Sequence, residues 1–305
     1  MRTLLPSETL RFGVSADAHL LGGLRPASSV AYLERFVNAM IRWKPDFVID
    51  LGDFACQWKE GQTTPQMHDR QLEGLRQGWA AYSTVPAAAY IVMGNHDVGW
   101  VAGGHEPLKP EDLYVPHQRR GGEDITKPEF LAVTSMPGRY YSFDVKGVHF
   151  IVLDGNNWPD ASEPPPGHDG VEGAYAIDEV QKTWLAADLK ANRDKLKVVF
   201  CHAELHHTPA EGSREGGDFP FPPVGKERSY VDNGWQLRDW LAQDRNVLAV
   251  FAGHKHENRW AVYGGVHYIT LAALHWEGSF AQMTLSDRLH IQGAGRQASH
   301  ELALP

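Results

Sequence analysis

The stretch IVMGNHDVGW, residues 91–100, reads as the end of a buried strand that runs straight into four residues foreign to a core. Ile91, Val92 and Met93 are apolar; Gly94, Asn95, His96 and Asp97 follow at once. Burying an amide, an imidazole and a carboxylate is unfavourable unless each finds a partner. The strand therefore delivers them to a place that uses them.

The same arrangement recurs on either side. LRFGVSAD (10–17) is a strand ending in an acid, and DFVIDLGD (46–53) is another. Between them Leu33, Phe36, Val37, Met40 and Ile41 recur at i, i+3, i+4, i+7 and i+8, the apolar stripe of a helix. A less regular helical stretch spans 67–84. This is a β-α-β-α-β opening, which implies parallel strands joined by right-handed crossovers. Further on come a hairpin at 140–155 turning at VKG, a helix over 177–192 and the strand KVVFCHAE. The helix GWQLRDWLAQD, the strand VLAVFAGHKH and strand-like runs over 259–274 and 279–293 complete the pattern. We expect one domain over 1–305 with loop insertions at about 98–138 and 204–232, both irregular and rich in Gly, Pro and charge.

Bulk properties exclude several classes. Apolar runs such as VLAVFAG (247–253) are far shorter than the roughly 20 residues that span a bilayer. The N-terminal residues lack a secretion-signal pattern, and two cysteines, Cys56 and Cys201, fit a reducing compartment, so a cytoplasmic location is expected. A net charge of −9 argues against a polymeric nucleic acid as partner. Any phosphate handled here must be attracted by something other than bulk charge.

Collected at the strand ends are Asp17 and His19, Asp53, Asn95 with His96 and Asp97, His202, and His254 with His256. In parallel α/β sheets the carboxyl ends of strands form the ligand-binding edge. One such Asp is commonly a helix cap, and one such His a satisfied core residue. Donors at five successive strand ends cannot all be caps, and several buried carboxylates need cations. Imidazole, carboxylate and amide without a required thiolate suit manganese, iron, zinc or cobalt, better than calcium or magnesium. Two ions sharing one carboxylate would lie about 3.5–4 Å apart, a spacing suited to phosphoryl transfer.

The series DAH, GD, GNHD, FCHAE and GHKH, in this order over residues 12 to about 257, resembles the calcineurin-like metallophosphoesterase superfamily. The resemblance implies an α/β fold of two mixed β-sheets packed as a sandwich flanked by helices, with a binuclear metal site at strand C-terminal ends. It implies an enzyme, a metal-dependent phosphoric ester hydrolase using two divalent or trivalent transition metal ions. Asp17, His19 and His256 would hold one ion with the bridging Asp53; Asn95, His202 and His254 would join Asp53 around the other. A hydroxide bridging the ions would attack phosphorus, and His96 would meet the leaving group. Many relatives carry an Asp three residues after the bridging Asp, where it orients the catalytic His. Here that place is Cys56, a poor acceptor, so Asp97 becomes the candidate to aim His96.

The start of the chain is similar to class III cyclic nucleotide phosphodiesterases. The stretches GRYYSFDVKGVHFIVLDGN and VHYITLAAL resemble the ADP-ribose/CDP-alcohol diphosphatase-like group. The expected substrate is accordingly a small phosphodiester or nucleotide diphosphate, with a phosphomonoester as the alternative and a non-catalytic scaffold as a further one. Aromatic faces can stack a nucleobase, which makes Trp158 a candidate substrate contact, with His206 a second.

Overall fold

The fold is set by where the apolar runs of the sequence pair. In the computed structural model, which describes residues 5–20, 27–56, 65–98, 125–156, 175–205, 231 and 234–305, β1 (Leu10–Ser15), β2 (Phe47–Asp50) and β3 (Ala88–Ile91) are parallel neighbours connected by α1 (Ala27–Trp43) and α2 (Pro65–Tyr82). The chain returns to this sheet near its end. Strands β10 (Phe280–Leu285), β11 (Arg288–Ala294) and β12 (His300–Ala303) extend it in antiparallel sense, giving the order β12-β11-β10-β1-β2-β3.

A second six-stranded sheet has the order β4-β5-β6-β7-β9-β8. Its strands are β4 (Tyr141–Val145), β5 (Val148–Leu153), β6 (Leu196–Cys201), β7 (Val247–Ala252), β8 (Arg259–Tyr263) and β9 (Val266–Thr270). The expected hairpin joins β4 to β5 through Lys146 (φ 49°) and Gly147 (φ 82°), two left-handed residues as a two-residue turn requires. Helices α4 (Glu179–Ala191) and α5 (Gly234–Asp244) cover the outer face of this sheet.

The central strands β2, β5, β6 and β7 are buried along their whole length, so they read as unbroken apolar runs. In β2, Phe47 and Ile49 face the other sheet while Val48 faces the helices. Between the sheets Phe12 stacks on Phe47 with ring centres 5.0 Å apart, and Phe47 meets Phe150 at 4.8 Å. Gly13, on the helix side of β1, has no room for a side chain: a Cβ there would lie 2.2 Å from Met40 Sδ. This is the expected sandwich of two mixed sheets flanked by helices.

Three details depart from the sequence reading. Ile41 belongs to the apolar stripe of α1 by spacing but is 39% exposed, whereas Leu33, Phe36, Val37 and Met40 are buried. Eight residues turn a helix about 80° past two full turns, so Ile41 falls off the packed face. The stretch read as a loose insertion holds α3 (Lys127–Thr134), opened by a capping box between Thr126 and Glu129 and anchored by buried Phe130. Strand β12 was not anticipated. The rest of both insertions lies outside the described residues, as do Trp158 and His206. No helix among the described residues is long and apolar enough to cross a membrane.

Candidate metal centre

Because β1, β2 and β3 run parallel to one another and β5, β6, β7 and β9 do likewise, their carboxyl ends are gathered at one edge of the sandwich. The loops leaving them are laced together by backbone hydrogen bonds. Asp17 N donates to Gly52 O (2.9 Å), His19 N to Asp53 O (2.8 Å) and Gly253 N to His202 O (3.0 Å). Ala273 N donates to His256 O (3.2 Å) and His275 N to Asp17 O (3.3 Å).

Backbone strain concentrates here. Of ten described non-glycine residues with positive φ, five are Asp17, His19, Asp53, His254 and His256, with φ between 49° and 69°. Left-handed backbone is unfavourable for such residues by about 1 kcal/mol or more each. Two glycines make the close approach possible. A Cβ on Gly94 would lie 2.0 Å from Asp53 N and 2.2 Å from Asp53 Oδ1; one on Gly52 (φ 97°) would lie 2.9 Å from His202 Nδ1.

The side chains so held form two groups that share Asp53. In the first, donor atoms of Asp17, His19, Asp53 and His256 lie within 4.8 Å of one another. The Nε2 atoms of His19 and His256 are 3.0 Å apart, with Asp17 Oδ1 3.3 Å from His256 Nε2 and Asp53 Oδ2 3.9 Å from His19 Nε2. In the second, Asp53, His202 and His254 converge. His202 Nδ1 donates to Leu51 O (2.8 Å), which leaves the lone pair of the neutral ring on Nε2. That Nε2 faces Asn95 Oδ1 at 3.1 Å and Asp53 Oδ1 at 3.2 Å.

The electrostatics follow from this crowding. Burial pushes the Asp53 carboxyl up, but His202, His96 and His19 outweigh it and hold it well below the usual range. Burial pulls His202 down, and the adjoining Asp53 carboxylate reverses this to about 9. Burial dominates at His19 and His254 and keeps both well below the ordinary imidazole value. Among the described residues the ion-pair partners of Asp17 and Asp53 are imidazoles.

Does this donor set fit a pair of cations? Among the described residues Asp53 Oδ2 is buried and accepts no hydrogen bond, and imidazole nitrogens and carboxylate oxygens converge on common centres. That is the chemistry of metal ligation, and the residues fit it.

His96 is placed by its backbone: its N–H donates to Asp53 Oδ1 (2.7 Å), and its carbonyl accepts from Gln71 Nε2 (2.5 Å). Its ring is partly open to solvent, with Nε2 4.0 Å from Asp53 Oδ2. Asp97, expected to aim that ring, lies elsewhere in the network. Its Oδ1 accepts from Ala55 N (2.7 Å) and its Oδ2 from Gly94 N (2.8 Å), so it braces the backbone of two ligand loops. Burial, with Asp53 adding to it, raises its pKa well above the ordinary value. Cys56 is buried beside His19 and the partly exposed His96, donor atoms within 4.8 Å of one another. Cys201 faces the α4 and α5 side of its strand, opposite to His202.

Two further neighbours of the site, Gln71 and His275, are not among the residues expected from the sequence. Gln71 lies on α2, and nothing in its local sequence marks it. His275 joins His19 and His256 in a third donor group. It ends an apolar run, ITLAAL, as the recognised residues do.

Comparison with known proteins agrees with this geometry. Residues 10–258 match the family model described as calcineurin-like phosphoesterase. The chain is 25% identical over 266 residues to the serine/threonine-protein phosphatase CPPED1 of Bos taurus, covering 83% of this chain and 67% of that one. It superposes on a dimetal phosphatase from Danio rerio with TM-score 0.71 and 18% identity, over 98% of this chain and 100% of that one. It also superposes on GAP50 of Plasmodium, described as the anchor in the inner membrane complex, with TM-score 0.53 and 13% identity over 97% and 89%. At these identities the structures show a common fold.

Proposed function

This chain belongs to the calcineurin-like phosphoesterase family, and on that premise we propose that it hydrolyses phosphomonoesters at a two-metal site. The observation that carries the reading is Asp53: one carboxylate, buried, with Oδ1 turned to the His202 group and Oδ2 to the His19 group.

In this reading Asp17, His19, Asp53 and His256 hold one ion, and Asp53, Asn95, His202 and His254 the other. When bound, the two ions would supply an activated water and neutralise charge on the phosphoryl oxygens, which an acidic protein must otherwise repel. The chain's own part is positioning and proton transfer. Asp97, Gly52 and Gly94 fix the loops, and Gln71 and Asp53 fix the backbone of His96. Water adds to phosphorus as the ester P–O bond breaks; His96 gives a proton to the departing alkoxide and is reprotonated by the proton that the attacking water loses. Alcohol and inorganic phosphate leave.

Choice of a monoester rests on the relatives: a protein phosphatase and a dimetal phosphatase. Similarity of local stretches to the phosphodiesterase and diphosphatase groups supports a diester or diphosphate instead. A substrate panel decides. Metal-loaded protein would be assayed on an aryl phosphomonoester, a phosphoserine peptide, an aryl diester, cyclic nucleotides, ADP-ribose and CDP-alcohols, with manganese, iron, zinc and cobalt in turn. The expected result is a kcat/KM for monoesters at least about tenfold above the others, equal to roughly 1.4 kcal/mol in transition-state binding. A preference for diesters or diphosphates would overturn the monoester assignment. Inertness toward every substrate with both ions bound would make the chain a scaffold.

A further inference from the structure

We infer that His275 is a direct ligand of the ion held by Asp17, His19 and His256, through its Nε2 atom. The inference rests on the two-metal reading above and adds a donor outside the residues that the sequence pattern provides.

Three observations converge. First, the imidazole is fixed in one tautomer. His275 Nδ1 lies 2.7 Å from the carbonyl oxygen of Asp17, an atom that can only accept, so Nδ1 carries the proton and Nε2 the lone pair. His202 is held in the same way by Leu51 O at 2.8 Å. A ring N–H donated to a carbonyl is the usual support of a metal-bound histidine, because it fixes the ring and raises the basicity of the other nitrogen.

Second, the rings are arranged as ligands of one ion would be. Two imidazoles bound at a right angle through bonds of about 2.0–2.1 Å bring their nitrogens to about 3 Å and their ring centres to roughly 4.6 Å. His19 and His256 meet that expectation, with Nε2 atoms 3.0 Å apart and ring centres 5.0 Å apart. The ring of His275 lies 4.8 Å from that of His19 and 4.7 Å from that of His256, at interplanar angles of 81° and 86°. The three rings thus stand edge to face around a common point, and their donor atoms lie within 4.8 Å of one another.

Third, the backbone that carries His275 is tied to the loops that carry the other ligands. Leu274 N donates to Ala16 O (2.7 Å), His275 N to Asp17 O (3.3 Å) and Ala273 N to His256 O (3.2 Å). The placement is therefore built in. With this residue the first centre has three imidazoles and two carboxylates, and the second has two imidazoles, an amide and the shared carboxylate. The first centre should favour the nitrogen-preferring transition metals more strongly.

The test is metal binding, read without reference to turnover. Full-length wild-type, His275→Ala and His275→Asn proteins would be stripped with chelator and titrated with cobalt(II), following the visible spectrum, and bound metal would be counted by elemental analysis. Asn can keep the hydrogen bond to Asp17 O yet offers no atom in the place of Nε2. His290→Ala, on the exposed edge of β11 beside Glu301, is the control and should bind as wild type does. Both His275 variants should keep one ion at wild-type affinity, lose at least about tenfold in affinity for the other, and show an altered cobalt spectrum.

Wild-type affinity for two ions in both variants would overturn the inference, as would recovery in His275→Asn alone, which would reduce His275 to a positioning residue. Normal metal binding with only a raised KM would also overturn it, assigning the ring to substrate. Failure of the wild-type protein itself to bind two ions would sink the underlying two-metal reading instead.

Discussion

The Nε2 atoms of His19 and His256 lie 3.0 Å apart although the residues are 237 positions apart in the chain. Both rings also face carboxylates, Asp53 for His19 and Asp17 for His256. A cation between such donors stabilises the folded chain and does little for the unfolded one. Chelation should therefore lower the melting temperature by several degrees, and returning manganese or zinc should restore it. A ligand at a hundred times its Kd contributes about 2.7 kcal/mol. Differential scanning calorimetry with and without metal checks this; an unchanged transition would argue against preorganised cation sites.

His96 is held by its backbone and not placed among the ligands, so its side chain can be removed without dismantling the site. His96→Ala should keep both ions and the melting temperature of the parent while kcat falls by about 10²–10⁴-fold, the range for loss of a general acid. A substrate with a very acidic leaving alcohol should be much less affected. Steady-state kinetics on two aryl phosphates beside elemental analysis would show it, and a near-normal rate would remove His96 from the chemistry.

Asp97 joins Ala55 N and Gly94 N, and through them the loops carrying Asp53 and Asn95. Asp97→Ala leaves two buried amides unpaired, each unfavourable by about 1–3 kcal/mol. Urea denaturation should report a loss of about 2–5 kcal/mol, with weaker metal affinity. Were Asp97 instead to act only by aiming His96, stability would be untouched and kcat alone would fall.

Far from the site, His149 is buried between two carboxylates, with Nδ1 2.7 Å from Asp144 and Nε2 2.8 Å from Asp188. Lys195 also reaches Asp144, and Ser142 and Asn192 reach Asp188. Burial pulls the imidazole down, but the two acids outweigh it and raise its pKa above 6.5. A raised folded-state pKa means that this contribution is complete below pH 6.5 and fades as pH rises through the folded value. His149→Gln should lower stability more at pH 6 than at pH 9, measured by urea midpoints. Equal losses at both would show that the ring does not titrate between them.

Much of this was legible because one rule repeats. An apolar run that ends in a ligand-grade residue marked Asp17, Asp53, Asn95, His202 and His254, and those residues do gather at one edge. His275 obeys the same rule but hides: β9 stops at Thr270, and the buried residues Leu271–Leu274 carry the chain onward alongside the end of β1 before the ring appears. The two backbone amides that Asp97 accepts from could not be foreseen, because a sequence gives residue types and not the atoms they face. Gln71 reaches His96 from another element, and only tertiary packing shows it. Ile41 illustrates the limit of periodicity, since a stripe of i+8 spacing need not be packed along its whole width.

The central claim is that Asp53 joins two metal sites, and metal stoichiometry tests it most directly. Wild-type and Asp53→Asn proteins would be stripped, dialysed to equilibrium against manganese or zinc, and analysed for metal per chain. The account predicts two ions per wild-type chain and weakened binding of both in Asp53→Asn, because one substitution removes a donor from each centre. One ion or none on the wild type, or a variant that loses a single ion and binds the other unchanged, would contradict it.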